Sequence, residues 1–182
     1  MKEVRLHGRG GQGAVTSAEL VAIAGIDEGR FAQAFPSFGP ERRGAPVTAF
    51  IRVSDSPIRT REKVYCPDIV MVLDSSLPSL VKISEGLHKD GIVILNTHIK
   101  ESEVRRAFGL DSKLAMVDAN TIAREILGLP ITNTTMLGAL LKATGIVGQE
   151  ALEHALDRRF GRLSEKNKAA MRRAIEETII TK

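Results

Sequence analysis

The chain has 182 residues, a formal net charge of +4 and a single cysteine, Cys66. An iron–sulfur cluster takes about four thiolates and a structural zinc site about four Cys and His ligands. The chain therefore cannot hold a cluster alone, its four scattered histidines form no zinc motif, and it cannot form an internal disulfide. The length suits one α/β domain over residues 1–182, in which 133–182 form a helical extension.

The excess positive charge is confined to one segment. Residues 30–63 contain seven Arg and Lys against three Asp and Glu, whereas the rest of the chain balances at 19 against 19. This segment is either a solvated, arginine-rich hairpin or a face that binds an anion or a partner protein. Aromatic residues make up 4% of the chain, which is too few for the stacking that single strands require, so we expect no nucleic-acid partner.

The apolar residues lie in short runs. None of these runs approaches the ~20 residues that span a bilayer. The first residues include Lys2, Glu3 and Arg5, where a signal peptide would be apolar. We therefore expect a cytoplasmic protein that does not enter a membrane.

The first half of the chain predicts strands around one helix. An alternating strand over 4–7 runs into a glycine-rich segment, and the apolar spacing from Ala14 to Gly29 predicts a helix. A short strand follows over 31–35, and three prolines and two glycines make 36–46 a loop. Alternation over 47–53, with a turn at 55–56 before residues 57–59, predicts a hairpin.

The second half of the chain has the pattern of a parallel sheet covered by helices. Unbroken apolar runs at 69–73 and 92–95, and a weaker one at 114–117, are typical of strands that are buried on both faces. Helical patterns cover 76–87, 101–108 and 119–127, and then 133–144, 148–159 and 164–179 with no strand pattern among them. The predicted fold class is α/β: three layers (α/β/α) around a mostly parallel sheet, with an added hairpin and a C-terminal helical tail.

The segment Gly8–Gly13, with the sequence GRGGQG, lies between the first strand and the first helix. Glycines allow a tight turn and a close approach to a ligand, and a helix N-terminus favours negative charge. The loop therefore packs the helix tightly, holds a phosphate or another anion, or contacts a protein. A dinucleotide would also require an acid at the end of the next strand, where the sequence is Ala34-Phe35-Pro36, so ordinary NAD binding is not favoured.

Other polar residues have ordinary structural interpretations beside functional ones. Arg42 and Arg43 follow Gly39-Pro40 in a rigid loop and are either solvated or poised to bind a carboxylate or phosphate. Asn133 or Thr134 is expected to cap a helix, Cys66 to be a buried, inert thiol, and His7 to have no catalytic partner. We predict no catalytic residue and no metal ligand in this chain.

Two long motifs carry a resemblance to a known family. Residues 7–16 read HGRGGQGAVT, and residues 33–47 read QAFPSFGPERRGAPV. Together with PDIV at 67–70 and NTTMLGA at 133–139, these segments resemble the gamma subunits of the 2-oxoacid:ferredoxin oxidoreductases, including that of pyruvate:ferredoxin oxidoreductase. The likeness covers nearly the whole chain, and the second motif is too long to arise by chance.

The resemblance implies an enzyme that oxidatively decarboxylates a 2-oxoacid to acyl-CoA and reduces ferredoxin. It also implies that thiamine diphosphate and the iron–sulfur clusters lie on alpha, beta and delta subunits or their fused equivalents. This chain would then hold no cofactor alone and would scaffold the thiamine-bearing subunits. The motifs at 33–36 and 41–46 favour pyruvate as substrate over 2-oxoglutarate, with a branched-chain 2-oxoacid as the alternative.

Coenzyme A (CoA), the expected co-substrate, carries a 3′-phosphate and a pyrophosphate. Our hypothesis is that part of this chain lines the path of CoA and positions it without bond chemistry. The residues are Gly8, Arg9, Gly10, Gly11, Gln12, Gly13, Arg42 and Arg43. Two alternatives stay open: a stand-alone nucleotide-binding protein of Rossmann type, and a purely structural subunit whose glycine loop only supports its neighbours.

Overall fold

The computed structural model describes residues 1–37 and 44–182 of the chain. Within them the strands are β1 (Lys2–Arg9), β2 (Phe31–Ser37), β3 (Pro46–Ser54), β4 (Ile69–Val72), β5 (Ile92–Asn96), β6 (Lys113–Val117) and β7 (Ile179–Thr181). The helices are α1 (Ala14–Asp27), α2 (Glu101–Phe108), α3 (Ala119–Leu127), α4 (Asn133–Thr144), α5 (Gln149–Phe160) and α6 (Ser164–Glu177).

The strands form one mixed sheet in the order β2-β3-β1-β4-β5-β6-β7. The neighbours β1, β4, β5 and β6 are parallel, whereas β3 is antiparallel to both β1 and β2, and β7 is antiparallel to β6. Because two antiparallel steps restore the direction, β2 runs with β1. Only β3 and β7, among the described strands, oppose the rest, so the prediction of a mostly parallel sheet is confirmed.

Each central strand contributes side chains to two separate cores. In β4, Ile69 and Met71 belong to a larger core with α1, α3, α4, α5 and α6, while Val70 and Val72 belong to a smaller core with α2 and the segment 77–87. Both faces of the strand are therefore buried, which is why its sequence does not alternate. The predicted three-layer α/β/α class is confirmed.

The helices after residue 132 share the larger core with the sheet. Nine of the twelve residues of α4 are buried, from Asn133 to Leu141. A Cβ at Gly138 would lie 2.1 Å from the carbonyl oxygen of Met171, so α4 and α6 are in direct backbone contact. Gly145 ends α4 in the left-handed region, at the break the sequence predicted. The division into a domain and an extension stays a prediction.

The secondary structure differs from the prediction in three places. The segment 76–87 is not an α-helix and contains one 3₁₀ turn, at Leu77–Ser79. Gly86 has a φ of +70°, which a right-handed helix does not allow, and it packs closely against the carbonyl of Tyr65. Residues 57–59 form no strand, and β3 pairs with β1 and β2 instead. The strand β7 was not predicted, because its three residues are held only by pairing with β6.

Candidate functional site

The order of the described strands defines a crevice of the kind that binds ligands in open α/β sheets. The connection after β1 crosses the sheet on the side of the larger core, and the connection after β4 crosses on the side of the smaller core. The strands β1 and β4 are parallel neighbours, so the polypeptide leaves their carboxyl ends toward opposite faces of the sheet. Ligands in such sheets bind at this topological switch point. The glycine loop (residues 8–13) follows β1 there, and residues 74–76 follow β4.

The glycines of the loop have different physical roles. Gly13 precedes α1 with a φ of +81°, and a Cβ there would lie 2.6 Å from the Nδ2 atom of Asn133. A Cβ at Gly8 would lie 3.2 Å from that of Ala14. Gly11 has a φ of +96°, but a Cβ there would meet no described atom within 4 Å. Gly8 and Gly13 therefore serve close packing, whereas Gly11 leaves the loop open on its outer side.

Arg9 and Gln12 are fixed by a carboxylate from the neighbouring strand. The Gln12 Nε2 atom donates to Asp74 Oδ2 over 2.6 Å, and Arg9 Nε lies 3.3 Å from the same oxygen. Arg9 also donates to the Ser76 hydroxyl over 2.8 Å and to the Gly44 carbonyl over 3.0 Å. The loop is thus tied to the end of β4 and to the start of β3, and the Arg9 charge is already compensated.

Asp74 is held in its charged form by these contacts. Burial acts to raise the pKa of its carboxyl, but hydrogen bonds from Ser76 and Gln12 and the charge of Arg9 outweigh burial and lower the pKa. Ser76 donates its backbone N–H and its hydroxyl to Oδ1, while Gln12 and Arg9 approach Oδ2. Both oxygens are therefore engaged, so Asp74 has no free acceptor for a ribose hydroxyl.

Asn133 joins this site, although the sequence predicted it only as a helix cap. The residue before α4 is Thr132, which makes no side-chain capping bond, so the prediction of a cap at Asn133 or Thr134 is wrong. The Asn133 amide lies against Gly13 instead, and its buried Oδ1 has no partner among the described residues. The signal for Asn133 in the sequence is the NTTM motif at 133–136.

The remaining candidates lie elsewhere. Arg42 and Arg43 lie outside the described residues. Cys66 is exposed, so the prediction of a buried thiol is wrong, because it lies in an irregular segment before β4 and not within the sheet. His7 points to the sheet face opposite the larger core and not into the glycine loop, since its neighbour Leu6 occupies that core.

The basic segment 30–63 is partly neutralised within the fold. Arg30 pairs with Asp55 over 2.8 Å and donates to the Ile146 carbonyl. Arg52 is 2% exposed and pairs with Glu3 over 2.6 Å. These two guanidinium groups therefore support the structure, whereas Arg59, Arg61 and Lys63 are exposed.

Within 1–37 and 44–182, no three His, Cys, Asp or Glu side chains come together as metal ligands would. None of the helices described over the same ranges has the length and apolar character needed to cross a membrane.

The chain resembles known proteins over nearly its whole length. The family model described as pyruvate ferredoxin/flavodoxin oxidoreductase matches residues 3–177. The pyruvate/ketoisovalerate oxidoreductases common subunit gamma of Thermococcus litoralis is 54% identical over 182 residues, covering 99% of this chain and 98% of the relative. Pyruvate synthase subunit PorC of Methanothermobacter thermautotrophicus is 50% identical over 178 residues, covering 97% and 96%.

A solved structure has the same fold. The crystal structure of pyruvate oxidoreductase subunit PORC from Thermotoga maritima superposes with a TM-score of 0.89 at 40% identity, covering 100% of this chain and 98% of that chain. Fold and crevice define this chain as an open α/β protein with a glycine loop at the switch point of its sheet. The chain belongs to the pyruvate ferredoxin/flavodoxin oxidoreductase family. The resemblance to the 2-oxoacid:ferredoxin oxidoreductases is confirmed, and the chain is a subunit of an oxidoreductase of that kind.

Proposed function

We propose that this chain is the gamma subunit of an enzyme that oxidises pyruvate to acetyl-CoA and passes the electrons to ferredoxin. The observation that carries the proposal is the identity of 54% and 50% to two proteins named for pyruvate enzymes, each aligned over almost the full chain. The first of these is named as common to pyruvate and ketoisovalerate oxidoreductases. That name supports a second candidate, in which the same chain also serves a branched-chain 2-oxoacid enzyme.

The proposed division of labour assigns the redox groups to other chains. Alpha, beta and delta subunits, or fused equivalents, would hold thiamine diphosphate and the iron–sulfur clusters, and ferredoxin would meet the assembly. The single cysteine supports this assignment, because a cluster takes about four thiolates. The proposed compartment is the cytoplasm, where an exposed thiol such as Cys66 stays reduced.

The proposed role of the glycine loop is to receive the phosphates of CoA. The loop ends at the N-terminus of the 14-residue helix α1, which favours negative charge, and Gly11 leaves the outer side of the loop open. Arg9 would act from its fixed position against Asp74 and Ser76, where it orients the loop. Arg42 and Arg43 complete the proposed site.

The test of the enzyme is co-expression of this chain with candidate alpha, beta and delta subunits. We expect a purified complex that reduces ferredoxin only when pyruvate and CoA are both present. Replacing pyruvate by ketoisovalerate tests the second candidate in the same assay. Failure of this chain to co-purify with thiamine-binding and cluster-binding subunits would contradict the proposal. Binding of NAD to the isolated chain, measured by calorimetry, would favour a stand-alone nucleotide-binding protein instead.

The CoA contact is tested in the assembled enzyme by Arg9→Ala and Arg42→Ala. A charge-assisted hydrogen bond contributes ~1.5–3 kcal/mol, so losing the one proposed for Arg42 should raise the Michaelis constant for CoA about tenfold or more. Arg9→Ala releases the loop from Asp74 and Ser76 and should raise the same constant. The Michaelis constant for pyruvate serves as the internal control and should stay the same. Unchanged constants for CoA in an intact complex would refute the contact, and loss of assembly would make these arginines interface residues.

A further inference from the structure

The sheet has a second polar surface, formed by residues other than those of the glycine loop. Alternate residues of β1 and β3, such as Val4 and Ile51, enter the larger core, so the residues between them face the other way. On that opposite face Arg5 is paired in register with Phe50. The segments 63–65 and 81–85 border this part of the sheet and leave an open groove of about 300 Å³. We call it the β1–β3 groove.

The floor of the β1–β3 groove carries a positive charge that no described carboxylate pairs with directly. Arg5 is half-buried and donates to the Nε2 atom of His7 over 3.2 Å, to the carbonyl of Ile83 over 2.9 Å and to the carbonyl of Glu85. No carboxylate in the described parts of the chain forms an ion pair with it. Burial, and secondarily the charge of Arg5, lowers the pKa of His7 to about 4, so His7 is neutral at pH 7. Glu85 is the nearest negative charge and acts on Arg5 without forming an ion pair, so this half-buried guanidinium is a costly arrangement that a directly paired carboxylate would relieve.

The rim of the groove adds to the same charge. Lys63 and Lys82 line it, and both are exposed and outside any ion pair between described residues. Glu85 is the one carboxylate among the lining residues that the structure describes. Tyr65 also lines the groove and is 66% exposed, and Phe50 forms a buried apolar part of its wall. Three cations against one carboxylate, beside an exposed aromatic ring, is a composition typical of a protein interface.

We infer that the β1–β3 groove binds an acidic segment of another subunit of the assembly, with a carboxylate directed at Arg5 and apolar side chains against the exposed ring of Tyr65. This inference rests on the proposed assembly. A phosphate ligand fits the groove less well, because the backbone groups turned toward Arg5 are carbonyls and not N–H donors. A second copy of this chain also fits less well, since the chain has a net charge of +4.

The first test is zero-length crosslinking of the purified assembly with a water-soluble carbodiimide, which joins a lysine ammonium to a nearby carboxylate as an amide. Peptide mapping should find Lys63 or Lys82 joined to an Asp or Glu of another subunit. The exposed Lys166 of α6 serves as the matched control and should show no such product at comparable yield. Crosslinks confined to this chain, or to a second copy of it, would overturn the inference.

The second test compares the double variant Lys63→Glu, Lys82→Glu with Lys166→Glu, each as the tagged chain in co-expression with the other subunits. Both sets of residues are exposed, so equal thermal melting of the isolated chains is expected. The double variant should release its partner at a NaCl concentration at least twofold lower than the wild type, whereas the control should not. Release at the wild-type salt concentration, or saturable binding of inorganic phosphate that the double variant loses, would contradict the inference. If even the wild-type chain retains no partner, the proposed function itself fails.

Discussion

The contact between Gly13 and Asn133 can be measured with a pair of glycine substitutions. Gly13→Ala forces an L side chain into the left-handed region, at about 1–2 kcal/mol, and drives its Cβ to 2.6 Å from Asn133 Nδ2. Overpacking of this kind costs a further ~1–3 kcal/mol. Gly11→Ala carries the same backbone cost, at a φ of +96°, but its Cβ meets no described atom within 4 Å. We therefore expect Gly13→Ala to destabilise the chain by about 2–5 kcal/mol and Gly11→Ala by about 1–2 kcal/mol.

Urea unfolding of the isolated chain separates these two costs. With an m-value of about 2 kcal/mol/M, a difference of 2 kcal/mol moves the unfolding midpoint by about 1 M between the two variants. Adding Asn133→Ala to Gly13→Ala removes the amide that the new Cβ meets and should recover part of the loss. The double-mutant cycle should then give a coupling of ~1 kcal/mol or more. Equal midpoints for Gly11→Ala and Gly13→Ala, or a coupling near zero, would show that Asn133 does not restrict the loop.

Three further predictions concern polar groups described above. Because the pKa of His7 falls from 6.5 to about 4 in the folded state, the unfolded chain takes up a proton first as the pH falls. The free energy of unfolding should thus drop by up to roughly 3 kcal/mol between pH 6.5 and pH 4. In urea denaturation at pH 7.5 and 4.5, the free energy of unfolding of His7→Gln should depend less on pH than that of the wild type. Asn96→Ala removes the donor that lies 2.8 Å from the Leu73 carbonyl, which keeps only a 3.5 Å bond from Thr132, and the acceptor that lies 3.1 Å from the Ala119 N–H. It should lower the unfolding free energy by about 2–4 kcal/mol in urea. Glu3→Ala leaves the buried Arg52 without its carboxylate and should lower the free energy of unfolding by about 3 kcal/mol, measured by thermal denaturation. Glu103→Ala, on the exposed side of α2, is the control and should leave the stability nearly unchanged.

The parts of the fold that the sequence predicted are those with strong local signals. The apolar runs of β4 and β5 are buried on both faces, so composition alone identified them. The segment 76–87 has apolar residues at helical spacing, yet Leu77 and Ile83 reach the smaller core from an irregular backbone. The pairing of β3 with β1 joins residues about 45 positions apart, so no local sequence pattern could predict which strand β3 pairs with.

The candidate site divides in the same way. The glycine loop was predictable, because its spacing between a strand and a helix has a direct backbone meaning. Its partners were not, since Asp74 and Asn133 reach the loop from 62 and 120 residues beyond Gln12 and Gly13. Arg9 illustrates the consequence: the sequence offers it as a free cation, whereas the structure gives it a carboxylate, a hydroxyl and a carbonyl.

The pairing of β7 with β6 has a consequence for how the chain folds as it is synthesised. Val117 ends β6, but Ile179, the first residue of β7, follows 62 positions later. Until the residues up to β7 have left the ribosome, the outer edge of β6 exposes a row of unpaired backbone donors and acceptors. Four helices, α3 to α6, form from the intervening residues, so the newly made chain can bury its apolar surface before its sheet edge is closed. The last step of maturation would then be the docking of a short strand, and a nascent chain stalled before Ile179 should be the species most prone to aggregate.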